Sequence, residues 1–461
     1  MSTKSDSKDV SLSTLECPKE LRSYQIDGVH FLIDSESALL ADQMGLGKTV
    51  QTVVALRHLS LTHVCPRILL VVPASLRRNW LQELGRWAPE LACRSVLGDT
   101  EDRIATYSLP IPVLITTYDQ IRSDAHCLHE IGQFDLVILD EAQRIKNKDS
   151  GLSLACKVIP RERSWALTGT PVENKPQDLV SLFNFIKQGL LNKAMSVAEM
   201  QAAIKPFYLR RTKQAVLPEL PPIIARDLVL ELGPEQRQSY DELWLSRNDK
   251  VQAGAQIRPI DMIALITALK LVCNYDPITG SSTKFEALEI FVEEAFSNAE
   301  RLIVFSQYVS SLEWLSGKLT QYPHRIFHGG LSEEERNTIV DEFQSPETKP
   351  KLLLISLKAG GVGLNLGSAD TVILFDRWWN PAVENQAIER GHRFGRTGPL
   401  NVIRFIVKDT IEERIRNILV EKQEMFDAYI RDSSIESYEP SAGDLRRMLA
   451  IANQNSTLQT T

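Results

Sequence analysis

Short unbroken runs of Val, Ile and Leu recur along this chain, and between them apolar residues repeat at helical spacing. The runs are RILLVVP (Arg67–Pro73), VLITTY (Val113–Tyr118), FDLVILDE (Phe134–Glu141), RLIVFSQY (Arg301–Tyr308), KLLLISL (Lys351–Leu357) and TVILFD (Thr371–Asp376). A strand with one wet face alternates polar and apolar residues, so continuous runs predict strands buried on both faces, as in parallel sheets flanked by helices. They fall into two groups on either side of a stretch, Leu230 to Cys273, with helical periodicity and few strand-like runs. The predicted fold class is therefore α/β, with two doubly wound parallel-sheet lobes joined by a helical bridge. LPELPP, with Pro218, Pro221 and Pro222, marks the exit of the first lobe, and TGSSTK (Thr279–Lys284) the entry of the second. The expected boundaries are a tail over 1–18, a first lobe over 19–222, a bridge over 223–283, a second lobe over 284–432 and a tail over 433–461.

Composition narrows the function classes. Of 461 residues, 52 are Lys or Arg and 59 Asp or Glu, a net charge of −7 that excludes a passive polybasic binder. Any nucleic-acid contact must be local. Hydrophobic residues at 43% and charged residues at 24% are those of a globular chain. The opening MSTKSDSKDV has no apolar signal core, and no run approaches the ~18 apolar residues of a membrane span. A cytoplasmic protein without membrane contact is expected, nucleoid-associated in a prokaryotic host. Its six cysteines form no C-x-x-C pair, so spacing supports neither zinc nor a disulfide framework.

Three segments carry candidate chemistry. In the first, Asp42-Gln-Met-Gly45-Leu46-Gly47-Lys48-Thr49 follows the apolar SALLAD and opens the helical pattern VQTVVALRHL. A glycine-rich turn entering a helix offers unpaired N–H groups to a polyphosphate; Lys48 can reach the β and γ phosphates, and the Thr49 hydroxyl can ligate Mg²⁺. Asp42 stands where the full G-x-x-x-x-G-K-[ST] pattern has its first glycine. In the second, the run Val137–Leu139 ends in Asp140 and Glu141. At the carboxyl end of a strand beside a phosphate loop, Asp140 can hold Mg²⁺ through its water shell while Glu141 orients and deprotonates water. In the third, QAIERGHRFGR (Gln386–Arg396) places Arg390 and Arg393 three apart on one helical face, where both could point across a cleft at a γ-phosphate.

Taken in order, these segments resemble the Swi/Snf family of helicase-like, DNA-stimulated ATPases of helicase superfamily two, from about Leu21 to Leu419. The resemblance rests on LRSYQIDGV, DQMGLGKT, VVPASLRRNW, ITTYDQI, DEAQRIKN and LTGTPVEN in the first lobe. It continues with VFSQY, HGGLS, SLKAGGVGLNL, DRWWNPAVENQA and ERGHRFGR in the second, and DRWWNP together with FYLRRTK separates the family from the DEAD-box and hexameric helicases. It implies two RecA-like lobes, with Gln25 reading adenine, Gly45, Leu46, Gly47, Lys48 and Thr49 binding ATP, and Thr49 and Asp140 serving Mg²⁺. Lys48, Asp140, Glu141, Arg390 and Arg393 would be catalytic when the lobes close. Gln143 replaces the His of the DEAH form, Arg396 stands where the family commonly has Gln, and CNYDP departs from Cys-Asn-His-Pro; what the last two changes do is left open.

The resemblance also implies sequence-independent binding of double-stranded DNA through its phosphates. The matching positions are Pro73–Ser75 with Arg77 and Arg78, Thr116, Thr117, Ser306, Gln307, His328–Gly330, Ser356, Lys358, Gly360 and Gly361. KPFYLRRTK, with Lys205, Arg210, Arg211 and Lys213, adds local positive charge. Trp378 and Trp379 are read as packing residues. The implied activity is ATP-driven translocation on duplex DNA that displaces or remodels bound proteins, the alternatives being a strand-separating helicase and an ATP-gated scaffold without turnover. With the motifs filling most of the sequence, targeting is expected to come from a partner protein or from the short tails.

Overall fold

In the computed structural model, residues 17–129, 131–169, 176–192, 194–252, 258–345, 352–360, 366–379, 381–392, 396–429 and 440–449 are described. The chain divides into two units, Met1–Glu219 and Leu220–Thr461.

The first unit holds strands β1 (Ser37–Leu40), β2 (Ile68–Val72), β3 (Cys93–Ser95), β4 (Val113–Thr117), β5 (Phe134–Asp140), β6 (Arg161–Leu167) and β7 (Tyr208–Leu209). They form one parallel sheet in the order β3-β4-β2-β5-β6-β1-β7. Successive side chains of a strand point to opposite faces, and the apolar core divides accordingly. Ile68, Leu70 and Val72 pack on one face with Leu136 and Ile138, while Leu69 and Val71 pack on the other with Val137 and Leu139. Both faces are covered, as the unbroken runs require.

The second unit repeats the plan. Its strands are β8 (Ile223–Leu230), β9 (Leu302–Ser306), β10 (His324–Phe327), β11 (Leu352–Ser356), β12 (Thr371–Leu374) and β13 (Leu400–Val407). All pair in parallel, in the order β10-β11-β9-β12-β13-β8. Here Ile303 and Phe305 face one cluster, Leu302 and Val304 the other.

The stretch 223–283, expected as a bridge, belongs to this second unit. Its first eight residues are the edge strand β8, paired along its length with β13. The helix Pro259–Asn274 then buries Met262, Leu265, Ile266 and Leu269 against Ile411, Ile415 and Ile418 of the helix Ile411–Tyr429. The end assigned to a tail also contributes: Ala442–Met448 is a helix whose Leu445 and Met448 enter the same cluster. Among the described residues no helix is long and apolar enough to cross a membrane.

Candidate phosphate-binding site

Register brings the candidate residues of the first unit to one edge. In β6, Leu167 is level with Leu40 of β1 on one side and with Asp140 of β5 on the other. The carboxyl ends of the three strands therefore coincide, and the segments that leave them emerge together. Ligands of open parallel sheets bind at such an edge.

From β1 the chain enters the glycine-rich loop. Gly45 and Gly47 have φ of 86° and 77°, the left-handed region that a side chain makes costly. Gly47 caps the helix Lys48–Leu61, so Lys48 and Thr49 are its first two residues and the loop leads directly into its unpaired N–H groups. Gln25 is the N3 residue of the helix Ser23–Asp34 and closes a capping box, accepting from the Arg22 N–H at 3.1 Å. Its amide nitrogen lies 3.5 Å from the Leu46 carbonyl, and a Cβ on Gly47 would fall 2.6 Å from it. The residue expected to read adenine is thus packed against the phosphate loop. The Lys48 amine donates to the Asp42 carbonyl at 2.7 Å.

From β5 come the two carboxylates. Both oxygens of Asp140 are held: Oδ1 accepts from the Glu141 N–H at 3.0 Å, and Oδ2 from the Trp80 indole N–H at 2.8 Å. Burial, with the Glu141 charge adding to it, pushes the Asp140 carboxyl up to about 6; the Trp80 hydrogen bond and the Lys48 charge pull the other way. Glu141 has φ of 53°, an uncommon conformation for a non-glycine residue and one that concentrates at functional sites. Gln143 donates to Glu141 Oε2 at 2.6 Å and accepts from the Thr168 hydroxyl, just beyond β6, at 2.7 Å. The amide in the DEAQ segment thereby links Glu141 to the third strand end. Residues 170–175, most of LTGTPVEN, lie outside the described residues.

Asp42 was legible only as a departure from a pattern. Its buried carboxylate is gripped by Arg211 of FYLRRTK, Nε to Oδ1 at 3.0 Å and Nη2 to Oδ2 at 2.5 Å. Two cations of KPFYLRRTK are consequently not presented to a partner, because Arg211 serves Asp42 and Lys213 is 4% exposed.

Several expected backbone-contact residues also turn inward. The Thr116 hydroxyl is fully buried, 2.9 Å from the Tyr107 hydroxyl, and the Thr117 hydroxyl caps the helix Tyr118–Ser123. The Ser306 hydroxyl donates to Asp376, and Ser356 is buried. Exposed positions among the expected contacts include Arg78, Gly329 and Gly330.

In the second unit, Arg390 lies in the last turn of the helix Pro381–Gly391 with its side chain buried. Arg393 and Gly361 lie outside the described residues. Arg396 ties up a loop through the carbonyls of Ala369, Gly391 (3.2 Å) and Pro399 (2.8 Å), a local brace. In CNYDP, Tyr275 stacks on Trp314 with ring centres 4.6 Å apart, and Asp276 Oδ1 accepts from the N–H groups of Ile278 and Thr279, both at 2.8 Å. Trp378 and Trp379 pack against apolar clusters, as read from the sequence.

Trp80 and Gln51 are site residues that sequence reasoning missed, and Arg211, read there as a cation facing DNA, instead holds Asp42. A signal existed only for Trp80, an aromatic residue on the buried stripe of the helix Arg77–Trp87.

Comparison with known proteins places the chain. The model of the SNF2-related domain matches residues 24–278, and that of the helicase conserved C-terminal domain matches 283–395. An uncharacterized ATP-dependent helicase of Mycoplasma pneumoniae is 36% identical over 88% of this chain and 42% of its own length. The SWI/SNF-related matrix-associated actin-dependent regulator of chromatin subfamily A member 1 of Mus musculus is 31% identical over 86% of this chain and 42% of its own. A solved Sulfolobus solfataricus SWI2/SNF2 ATPase core in complex with dsDNA is 29% identical, covering 95% of this chain and 98% of that one with a TM-score of 0.44. The chain thus spans well under half the length of those two curated relatives. With the SNF2-related domain matching more than half of its length, the chain belongs to the SNF2-related family.

Proposed function

We propose that this chain is an ATP-hydrolysing motor that moves along double-stranded DNA and displaces or remodels proteins bound to it. The observation that carries the reading is the shared strand edge where the loop Gly45–Thr49 meets Asp140 and Glu141. A phosphate-binding helix start and two carboxylates at one edge are the parts phosphoryl transfer to water requires.

The residues divide the work. The loop N–H groups bind the β and γ phosphates, and Lys48 leaves the Asp42 carbonyl to neutralise them. Glu141 orients the attacking water and takes its proton, held in place by Gln143. Arg390 and Arg393 stabilise charge on the γ-phosphate in the closed state. The donors also fit Mg²⁺. Thr49 lies in the first turn of the helix after the loop and Asp140 ends β5 at the same sheet edge, and a hydroxyl and a carboxylate are the oxygen donors that such an ion takes beside substrate phosphates and water. Thr49 and Asp140 would hold it, and it would supply charge neutralisation at those phosphates.

Duplex DNA is the proposed track, bound through phosphates by the exposed loop residues and cations, including Arg78. A chain of net charge −7 has no bulk attraction for DNA, so the grip is local and salt-sensitive. A targeting protein partner completes the reading. The test measures phosphate release with long duplex DNA, for wild type against Glu141→Gln. DNA-stimulated release at least a hundredfold above the variant is expected; equal release would remove the enzymatic reading. Unwinding of a fork of about 20 base pairs without a loading factor would replace translocation by strand separation.

A further inference from the structure

The first unit contains an ion pair between a buried Asp42 and a partly buried Arg211 that the proposed chemistry does not use. Besides its fork onto Asp42, Arg211 donates from Nη2 to Gln51 Oε1 at 2.9 Å and from Nη1 to the Tyr24 carbonyl. Gln51 in turn donates to Asp42 Oδ2 at 3.2 Å and to the Leu46 carbonyl at 3.1 Å. One guanidinium therefore spans the phosphate loop, the helix that follows it and the helix that carries Gln25. The space is close-fitting, since a Cβ on Gly28 would overlap the Gln51 amide and stand 2.8 Å from Arg211 Nη2.

The backbone reinforces the side chains. Beyond β7 the chain keeps running beside the loop: Ala41 N–H donates to Leu209 O at 2.7 Å, Gln43 N–H to Arg211 O at 2.9 Å, and Lys213 N–H to Gln43 Oε1 at 2.8 Å. This segment and the short helix Lys213–Val216 that follows it lead to the boundary of the first unit at Glu219.

We propose that Arg211 is a positioning residue for nucleotide, holding the phosphate loop in its ligand-ready shape and neutralising Asp42 beside the polyphosphate. The inference rests on the nucleotide-hydrolysing reading. A loop with two left-handed glycines loses much conformational freedom when ordered, and a bidentate fork onto a buried carboxylate fixes it before the ligand arrives. Without Arg211, Asp42 keeps only the neutral Gln51 donor and would leave an uncompensated negative charge beside an anionic ligand. Lysine keeps the charge but cannot span Asp42, Gln51 and Tyr24 together.

The test is equilibrium binding of a fluorescent ATP analogue to the full chain without DNA, beside thermal unfolding, for Arg211→Gln, Arg211→Lys and the double variant Asp42→Asn/Arg211→Gln. Arg211→Gln should raise Kd at least tenfold, and Arg211→Lys by about threefold or more. The neutral double variant removes the unpaired charge, so it should melt near wild type while its Kd stays at least fivefold raised. A purely structural role would restore both together. Wild-type Kd in either Arg211→Lys or the double variant overturns the proposal alone. Absence of binding by the wild type, matched by Lys48→Ala, removes the nucleotide reading and the proposal with it.

Discussion

The carboxyl edges of the two sheets are built alike and used differently. At the edge of the first, Lys48, Thr49, Glu141 and Gly47 are half-buried and Gly45 is exposed, so a ligand can reach loop and acid together. At the edge of the second, several polar groups among the described residues are spent on one another. Asp376 accepts from Ser306, from the Gln307 N–H at 3.0 Å and from Asn274 at 3.1 Å. Lys284, fully buried, donates to Asn274 Oδ1 at 3.1 Å, to the Phe375 carbonyl at 2.8 Å and to Glu412 at 2.6 Å. Polar residues at a parallel strand end therefore do not mark a ligand site by themselves. What marks it is polarity left accessible after the internal hydrogen bonds are made.

Three substitutions sharpen that contrast. The largest effect is expected at the open edge: Lys48→Ala should lower ATP turnover a thousandfold or more, equivalent to about 4 kcal/mol of barrier. Its melting temperature and nucleotide-free DNA affinity should stay close to wild type. Parallel loss of all three quantities would show that the first edge is structural as well.

At the closed edge the order reverses. Lys284→Met leaves Glu412 buried without its partner and should cost about 3–5 kcal/mol of folding stability, read by denaturant unfolding. A cost under 1 kcal/mol would mean that Glu412 is solvated and the edge is open after all.

The smallest effect is a pH dependence at Lys270. Its amine is buried, donates to the Arg377 carbonyl and lies 5.4 Å from the Trp379 ring centre; burial lowers its pKa to about 8. Between about 8 and the usual value near 10.5 the unfolded chain binds the proton and the folded one does not, so this residue's contribution to stability rises with pH in that window. Lys270→Met should flatten the stability difference between pH 7.5 and 9.5 by about 2 kcal/mol. Identical slopes would contradict the burial of a titrating amine at this edge.

Much of the first edge was legible in the sequence because its signals are local. A glycine-rich turn before a helix, and a Val-Ile-Leu run ending in two acids, each fit within about ten residues. The strands β2, β4, β5, β9, β11 and β12 were legible for the same reason, being unbroken apolar runs. Less uniform strands were not: β6 opens with Arg161-Glu162-Arg163, β13 carries Asn401 and Arg404, and β8 is an edge strand with exposed Ile224 and Val229. Edge strands need little apolar patterning, since only part of their surface is covered.

The sequence by itself determined that there are two parallel α/β units, that one carries a glycine-rich turn before a helix and a strand ending in two carboxylates, and that the net charge gives no bulk attraction for DNA. These follow from periodicity, short motifs and net charge, which need no knowledge of distant neighbours. Tertiary structure alone decided that Asp42 meets Arg211, that Trp80 holds Asp140, that the Thr116 and Ser306 hydroxyls point inward, and that residues 223–283 complete the second unit. Most of these depend on groups 60 or more residues apart that meet only when the sheets form. Whether a buried polar group serves a ligand or the fold is then set by which partner desolvation forces it to find.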